Sequence, residues 1–328
     1  MDLSGLYHDD LPPVLARLCE TAPMLRLKDV GMNCGCEYTS FPKFRRCASY
    51  SRYDHSLGVG LIVWHFTKDE KQAVAGLLHD ISTPVFAHVV DFMNGDYMTQ
   101  ESTELATEQV IRSSPELLQV LRDFDLSVSD VCDYHLYPIA DNDTPRLSSD
   151  RLEYTFGNAL NYGFTAADEL DSLYRDLTVG RNEDSIPELM FKTPALALSF
   201  ARAALSCSKV YVSDEDRFAM EALASRLKQA ISRGVLSHGD LMRTETEVIK
   251  KLCSDPVCAA DWKHYQSFAR LVTSAVPCPG ELYRVSAKKR HIDPMILGAG
   301  RVSRVFPDFK AELTSYLSQP FDLWLSAE

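Results

Sequence analysis

The chain has no apolar run that approaches the ~18 to 20 residues of a membrane span. Its first residues, Met1-Asp2-Leu3-Ser4, show neither the basic nor the apolar region of a signal peptide. Positive charge is also scarce, since 34 Lys and Arg stand against 46 Asp and Glu and leave a net charge of −12. That balance argues against broad binding to nucleic acid, although a local basic pocket for one phosphorylated small molecule remains compatible with it. We therefore expect a cytoplasmic protein without a membrane or nucleic-acid partner.

A disulfide framework is missing as well. The nine cysteines follow no regular spacing, which is typical of a reduced, cytoplasmic protein. Cys34, Cys36 and Cys47 form the one local cluster, but neither a fourth ligand nor the usual zinc spacing is visible. Ordinary buried thiols are the favoured interpretation, with structural zinc as the alternative.

What is present indicates a helical protein with a sizeable core, since apolar residues make up 45% of 328 residues. Thr67-Lys68-Asp69-Glu70 has the spacing of a capping box, and the apolar residues that follow it share one helical face. That helix should end near His79-Asp80, because Pro84 prevents any continuation. Thr165 begins a second box of this kind.

The composition changes near residue 277. Pro277-Cys278-Pro279-Gly280 interrupts the chain, and Leu282-Tyr283-Arg284-Val285 then alternates like a strand. We therefore predict a mostly α protein in two parts, a helical core over residues 1–276 and a small α+β C-terminal appendage over 277–328. Segments 28–50 and 136–147 are predicted loops.

Four residues could bind a divalent metal: His55, the adjacent pair His79-Asp80, and Asp150. Imidazole and carboxylate ligands suit Mn, Fe, Zn, Co or Mg. Neighbours on a continuous helix point about 100° apart, so His79 and Asp80 could share one ion only where the helix ends. His55 and Asp150 would then arrive from other helices. Each residue alone could equally be an ordinary core or surface residue.

Their context carries more information than the residues alone. Ser51-Arg52-Tyr53-Asp54-His55, Leu77-Leu78-His79-Asp80, Phe86-Ala87-His88-Val89-Val90-Asp91 and Ser149-Asp150-Arg151-Leu152-Glu153-Tyr154 closely resemble motifs of the HD-domain phosphohydrolases. Within them the sequence looks most like the deoxynucleoside triphosphate triphosphohydrolases, which include the bacterial dGTPases and the vertebrate SAM-and-HD-domain enzyme. The resemblance covers about residues 45–165, and more faintly 283–294.

The resemblance implies an HD-domain helical bundle, a divalent metal (Mn, Fe, Mg, Co or Zn), a nucleotide substrate and assembly into a homo-oligomer. It also implies three sets of site residues. The metal ligands would be His55, His79, Asp80 and Asp150. The substrate-binding residues would be Arg52, Arg151 and Tyr154, the two arginines for phosphate and the tyrosine against the sugar. The catalytic residues would be His88, its orienting acid Asp91, and Glu101.

Three positions depart from the family pattern. Thr83 and Gln100 stand where the family commonly has histidine, and Asn158 stands where relatives use an aspartate to contact the sugar hydroxyl. Glutamine carries no proton at neutral pH, so a relay through residue 100 would be lost. These changes leave the metal ligands intact but bear on the reaction outcome and the deoxyribose preference.

Hydrolysis of a dNTP to deoxynucleoside and triphosphate is accordingly the first functional hypothesis. Other HD-domain reactions are the alternative, namely those of a nucleoside monophosphatase, a cyclic-nucleotide phosphodiesterase or an alarmone hydrolase. A nucleotide sensor with low turnover is the third. The basic cluster Lys288-Lys289-Arg290-His291 is interpreted as a solvated face, or else as a contact for a neighbouring subunit or an effector nucleotide.

Overall fold

The computed structural model describes residues 3–8, 10–45, 47–95, 106–277 and 280–328. Within these ranges the chain is mostly α-helical, as predicted. The helices of the first half are α1 Ser4–Tyr7, α2 Pro13–Cys19, α3 Ala22–Arg26, α4 Arg52–Thr67, α5 Glu70–Leu78, α6 Val89–Asn94, α7 Thr107–Ser113, α8 Pro115–Asp123, α9 Val128–Val131 and α10 Ser149–Asn161. Those of the second half are α11 Ala167–Arg175, α12 Pro194–Tyr211, α13 Asp214–Ser232, α14 Glu245–Ser254, α15 Pro256–Ser267, α16 Val302–Val305 and α17 Pro307–Ser318.

The strands are few and short. They are β1 Leu177–Arg181, β2 Pro187–Phe191, β3 Leu271–Ser274, β4 Leu282–Tyr283, β5 Met295–Ile296, β6 Gly300–Arg301 and β7 Trp324–Ala327. They form a four-stranded sheet in the order β1-β2-β5-β6 and a three-stranded sheet in the order β3-β7-β4. The β1–β2 hairpin was not predicted, because each of its strands has only five residues and shows only a weak alternation of apolar and polar residues.

Both sheets pair a strand that precedes residue 277 with a strand that follows it. Strand β2 pairs in parallel with β5, and β3 pairs antiparallel with β7. The C-terminal residues therefore pack onto the helical part through backbone hydrogen bonds. The two-part division at 277 stays a prediction about domains, but the sheets do not follow it.

Helices α4 and α5 pack against each other within a hydrophobic core that also includes Leu15 and Phe156. Ser51 and Asp54 make a capping box at the start of α4, and Lys68 closes the helix in a left-handed conformation at φ 53°. A Cβ built on Gly76 of α5 would lie 3.2 Å from Val63 of α4, so the glycine allows the two helices to approach closely. This close contact brings the beginning of α4 and the end of α5 to the same place.

The predicted capping box at Thr67 is wrong in its detail. Thr67 is the last residue of α4, and Asp69 caps α5 by accepting from the backbone N–H of Lys71 and Gln72. The short left-handed link at Lys68 leaves no room for a cap two residues earlier. The predicted end of the helix is confirmed, since α5 finishes at Leu78 with His79 as its C-cap residue.

Among the described residues, no single helix combines the length and apolar character needed to cross a membrane. Helices α12 and α13 reach that length and composition only when taken together, with a bend of 45° between them.

Candidate metal centre

Four predicted ligand residues meet where three helices begin or end. His55 lies in the first turn of α4, His79 and Asp80 follow the last residue of α5, and Asp150 lies in the first turn of α10. The Nε2 atoms of His55 and His79 are 3.2 Å apart. Asp80 Oδ2 lies 3.8 Å from His55 Nε2 and 3.4 Å from His79 Nε2, and Asp150 Oδ1 lies 3.0 Å and 3.7 Å from the same two atoms.

The end of α5 allows the neighbours His79 and Asp80 to face one point. The last helical residue is Leu78, and the chain continues through a turn at residues 79–82. On an unbroken helix the two side chains would diverge by about 100°. The turn instead brings Asp80 Oδ2 within 3.4 Å of His79 Nε2.

Three of the four side chains form a group that fits a divalent metal ion, with Asp150 beside it. Ligand atoms of His55, His79 and Asp80 all lie within 4.8 Å of one another, and all three residues are buried. Metal–ligand distances of ~2.0 to 2.2 Å would place neighbouring ligand atoms about 3 Å apart, close to the spacing seen here. Over the ranges that the structure describes, this is the one such group of three or more residues, so Cys34, Cys36 and Cys47 do not form a second.

The Nδ1–H of each imidazole is directed away from the site. His79 Nδ1 lies 2.7 Å from the carbonyl oxygen of Gly76, which can only accept, so Nδ1 carries a proton and Nε2 is the nitrogen that faces the site. His55 Nδ1 lies 2.5 Å from Glu153 Oε2, an arrangement that likewise leaves Nε2 facing the site. A histidine that donates its second N–H to a carboxylate or carbonyl is the usual support for a metal ligand.

Glu153 is a site residue to which the sequence analysis gave no role. Its carboxylate is 1% exposed and accepts hydrogen bonds from the hydroxyls of Tyr50 and Tyr7 as well as from His55. A Cβ on Gly58 would lie 2.6 Å from Glu153 Cγ, so only glycine leaves room for this carboxylate beside α4. The glycine three residues after His55 was a sequence signal for this contact.

Asp80 is held on both carboxylate oxygens. Arg52 Nη1 donates to Oδ2 at 2.7 Å, and Thr83 Oγ1 donates to Oδ1 at 2.7 Å. Burial alone would raise the pKa of Asp80, but the Arg52 guanidinium holds it well below the usual value. Thr83 thus orients the candidate ligand Asp80 by a hydrogen bond.

Burial and hydrogen bonding act in opposite directions on His55 and Asp150. Burial disfavours the charged imidazole, but hydrogen bonds to Asp150 and Glu153 raise the pKa of His55 to about 10. Burial likewise disfavours ionised Asp150, whose pKa His55 nevertheless lowers to about 2. Three carboxylates therefore surround two imidazoles and one arginine, a charge balance that suits a bound cation.

His88 lines the same cavity and pairs with Asp91 behind it. His88 Nδ1 lies 2.8 Å from Asp91 Oδ2, and Asp91 is fully buried. Phe86 and Ala87 have positive φ angles of 58° and 43°, which turn the chain sharply just before His88. Burial lowers the pKa of His88; Asp91 opposes this effect, and Arg290 and Arg52 reinforce it. These contributions together favour the neutral form of the His88 imidazole.

The remaining predicted site residues fall in different places. Tyr154 lines the cavity, and burial raises its pKa to about 12. Arg151 is not among the cavity-lining residues; its Nη1 donates to Asn142 at 2.7 Å and lies 3.2 Å from Asp141 Oδ1. Asn158 lines the cavity and donates to the Tyr211 hydroxyl at 2.7 Å. Glu101 lies outside the described residues, as does Gln100.

The cavity of about 140 Å³ also includes residues from distant parts of the chain. Tyr211, Asp216, Lys288 and Arg290 contribute to its wall. The basic cluster predicted to be a solvated face thus places two of its cations in the cavity. No short motif could indicate this, because Arg290 is 202 positions from His88 in the sequence.

No protein-family model matches the chain. It is 27% identical over 249 residues to the uncharacterized protein YdhJ of Bacillus subtilis strain 168, a match that covers 76% of this chain and 73% of that protein. It is 24% identical over 212 residues to the metal-dependent phosphohydrolase cns2 of Cordyceps militaris, covering 64% and 58%.

Two solved structures share the fold. One is a hypothetical protein from Aquifex aeolicus, with a TM-score of 0.63, 19% identity, and coverage of 96% of this chain and 92% of that one. The other is a phosphohydrolase from Bacteroides thetaiotaomicron, with a TM-score of 0.62, 15% identity, and coverage of 96% of both chains. At these identities the likeness shows a common helical fold.

Proposed function

We propose that this protein is a metal-dependent phosphohydrolase of the HD-domain type that acts on a nucleotide. The observation that carries the proposal is the convergence of His55, His79, Asp80 and Asp150 on one point, in the same cavity as His88. The names of the Cordyceps relative and of the Bacteroides structure support the same reaction class.

The four ligands would hold Mn, Fe, Mg, Co or Zn, because nitrogen and oxygen donors suit these ions. When bound there, such an ion would supply Lewis-acid chemistry toward a phosphoryl oxygen and toward water. Around it, Arg52 holds Asp80 in place through Nη1 while lining the cavity. Its planar guanidinium also suits contact with a phosphate oxygen.

His88 is placed to handle the proton of the leaving oxygen. Its Nδ1–H donates to Asp91, so Nε2 is the atom that exchanges protons. Burial keeps the pKa of this imidazole low in the free protein, and the negative charge of a bound phosphate would raise it. The protonated Nε2 would then donate its proton to the leaving oxygen of the P–O bond that breaks, while Asp91 holds the imidazole ring in position.

The cavity wall supports a nucleotide as the substrate class. Lys288 and Arg290 supply positive charge, whereas Tyr154, Tyr162 and Tyr211 supply aromatic surface with hydroxyl groups. A phosphorylated molecule with a planar ring and a hydroxyl-bearing sugar matches both kinds of wall. The tyrosine hydroxyls and the Asn158 amide would orient the substrate by hydrogen bonds.

Two versions of the reaction follow from different observations. The motif resemblance favours a dNTP, cut to deoxynucleoside and triphosphate with one water consumed. The position of Arg151 favours a shorter phosphate chain, as in a nucleoside monophosphatase, because Asp141 and Asn142 already engage its guanidinium. A nucleotide sensor with low turnover is the remaining alternative. Thr83 gives this alternative little support, because its hydroxyl still holds the Asp80 carboxylate in place.

Product analysis tests these versions together. The purified protein is analysed for metals and then incubated with nucleoside mono-, di- and triphosphates and cyclic nucleotides, each with Mn, Fe, Mg or Co. Mass spectrometry identifies the products, and inorganic triphosphate forms only under the dNTP version. Asp80→Ala should abolish turnover while the protein stays folded. Absence of product from every nucleotide with every metal would refute the proposal.

A further inference from the structure

The segment between β4 and β5 has no regular secondary structure, and it separates three consecutive cations onto two faces. Lys288 and Arg290 line the cavity, whereas Lys289 Nζ donates to the carbonyl oxygens of Leu317 at 2.6 Å and Gln319 at 2.5 Å. The segment therefore directs its first and third cations inward, and its second cation caps the end of α17.

Buried contacts hold the backbone of this segment. The Arg217 guanidinium, in a residue that is 3% exposed, donates to the carbonyl oxygen of Val285 and pairs with Asp214. Farther along, the Tyr316 hydroxyl donates to the Arg290 carbonyl oxygen at 3.1 Å, and the Asp293 N–H donates to Pro145 at 2.9 Å. With the backbone held at both ends, the positions of the inward cations are defined by the fold.

Arg290 lies beside the proton-exchanging atom of the site. Its Nη2 is 3.5 Å from His88 Nε2, and its charge contributes to the lowered pKa of that imidazole. Two groups that repel each other when both are charged are brought together by the fold. An anion placed between them would be attracted by the guanidinium and would favour protonated His88.

We propose that Lys288 and Arg290 bind the phosphate of the substrate, so that the C-terminal segment completes the phosphate subsite of the metal centre. This inference rests on the proposed function. Arg290 would contact phosphate oxygens through its planar fork, and Lys288 would add a point charge. The phosphoryl group would then be held within reach of His88 Nε2.

Calorimetric titration of the manganese-loaded full-length protein with inorganic phosphate and inorganic tripolyphosphate tests this subsite without requiring turnover. Arg290→Gln should bind these anions about 10- to 100-fold more weakly, and Lys288→Gln should also weaken binding. Arg290→Lys should recover part of the affinity, because it keeps the charge but loses the fork. Lys289→Gln is the matched control and should bind within about twofold of the wild type, since it removes one charge from the opposite face.

Metal content and unfolding temperature are measured for each variant. If Arg290→Gln does not fold, the phosphate affinity of Lys288→Gln is used as the test instead. The inference is overturned if Arg290→Gln binds phosphate as the wild type does. It is also overturned if Lys289→Gln loses as much affinity, or if the metal-loaded wild type binds neither anion. Nucleotide hydrolysis is assayed in parallel. Phosphate binding that needs Arg290 in a protein that hydrolyses no nucleotide would refute the proposed function and leave the subsite standing.

Discussion

Glu153→Gln is the substitution that most directly tests the support of the metal centre. Glu153 Oε2 accepts from His55 Nδ1 and from the Tyr50 hydroxyl, and Oε1 accepts from the Tyr7 hydroxyl at 3.3 Å. A glutamine can keep its carbonyl oxygen at the Oε2 position and turn its amide toward Tyr7, whose hydroxyl can accept. The shape and the hydrogen bonds are kept, and only the negative charge beside His55 is lost.

The expected consequence is weaker metal binding. The Glu153 carboxylate raises the basicity of His55 as a ligand, and substitution of such a partner typically costs about 10- to 100-fold in metal affinity, equivalent to ~1.4 to 2.8 kcal/mol. Glu153→Ala is less informative, because it would leave three buried donors without an acceptor at about 1 to 3 kcal/mol each and so threaten folding.

Competition with a fluorescent chelator measures the affinity for Mn²⁺, and thermal unfolding confirms that each variant is folded. Glu312→Gln serves as the control, because Glu312 pairs with Arg202 in a salt bridge in which both side chains are at least 40% exposed. A folded Glu153→Gln protein that binds Mn²⁺ within twofold of the wild type would refute the role given to this carboxylate.

Three further predictions address other parts of the site. Gly58→Ala should also weaken metal binding and destabilise the fold by about 1 to 3 kcal/mol, because its Cβ would lie 2.6 Å from Glu153 Cγ; metal titration and thermal unfolding check both effects. His88→Gln should lower kcat by about 10² to 10⁴-fold with metal content unchanged, and a normal kcat would exclude His88 from proton transfer. Burial and the nearby Glu245 raise the pKa of Glu37 to about 8. Its protonated form therefore stabilises the fold fully below pH 4.5, and this stability is lost as the pH rises to 8, at up to about 1.4 kcal/mol per pH unit. Glu37→Gln should flatten that decline in unfolding free energy, and an unchanged pH profile would contradict the assignment.

Local sequence information was sufficient for the helical class and for the end of α5. Apolar periodicity and proline act over a few residues, so the approach of a helix end to His79-Asp80 could be inferred without the rest of the fold. The cap of α5 could not be chosen correctly, since Thr67 and Asp69 are both good capping residues. The left-handed conformation of Lys68, which ends α4, decides between them.

The candidate metal ligands were also predicted from the sequence, and their metal binding stays a prediction. Histidine and aspartate are recognisable as ligands from their types and neighbours, and the structure brings His55, His79, Asp80 and Asp150 together. Their supporting contacts were not readable in advance. The motif comparison alone suggests that Thr83 has lost the role of a histidine. In the structure its hydroxyl lies 2.7 Å from Asp80 Oδ1 and orients that candidate ligand.

Only the tertiary structure decided which distant residues share the cavity. Arg151 follows a ligand directly but turns to Asp141, whereas Arg290, far along the chain, lies 3.5 Å from His88. Sequence alone determines which side chains can bind a metal or move a proton, because that chemistry belongs to each residue type. Where each charge points depends on helix packing and on backbone hydrogen bonds between distant segments, which no local pattern encodes.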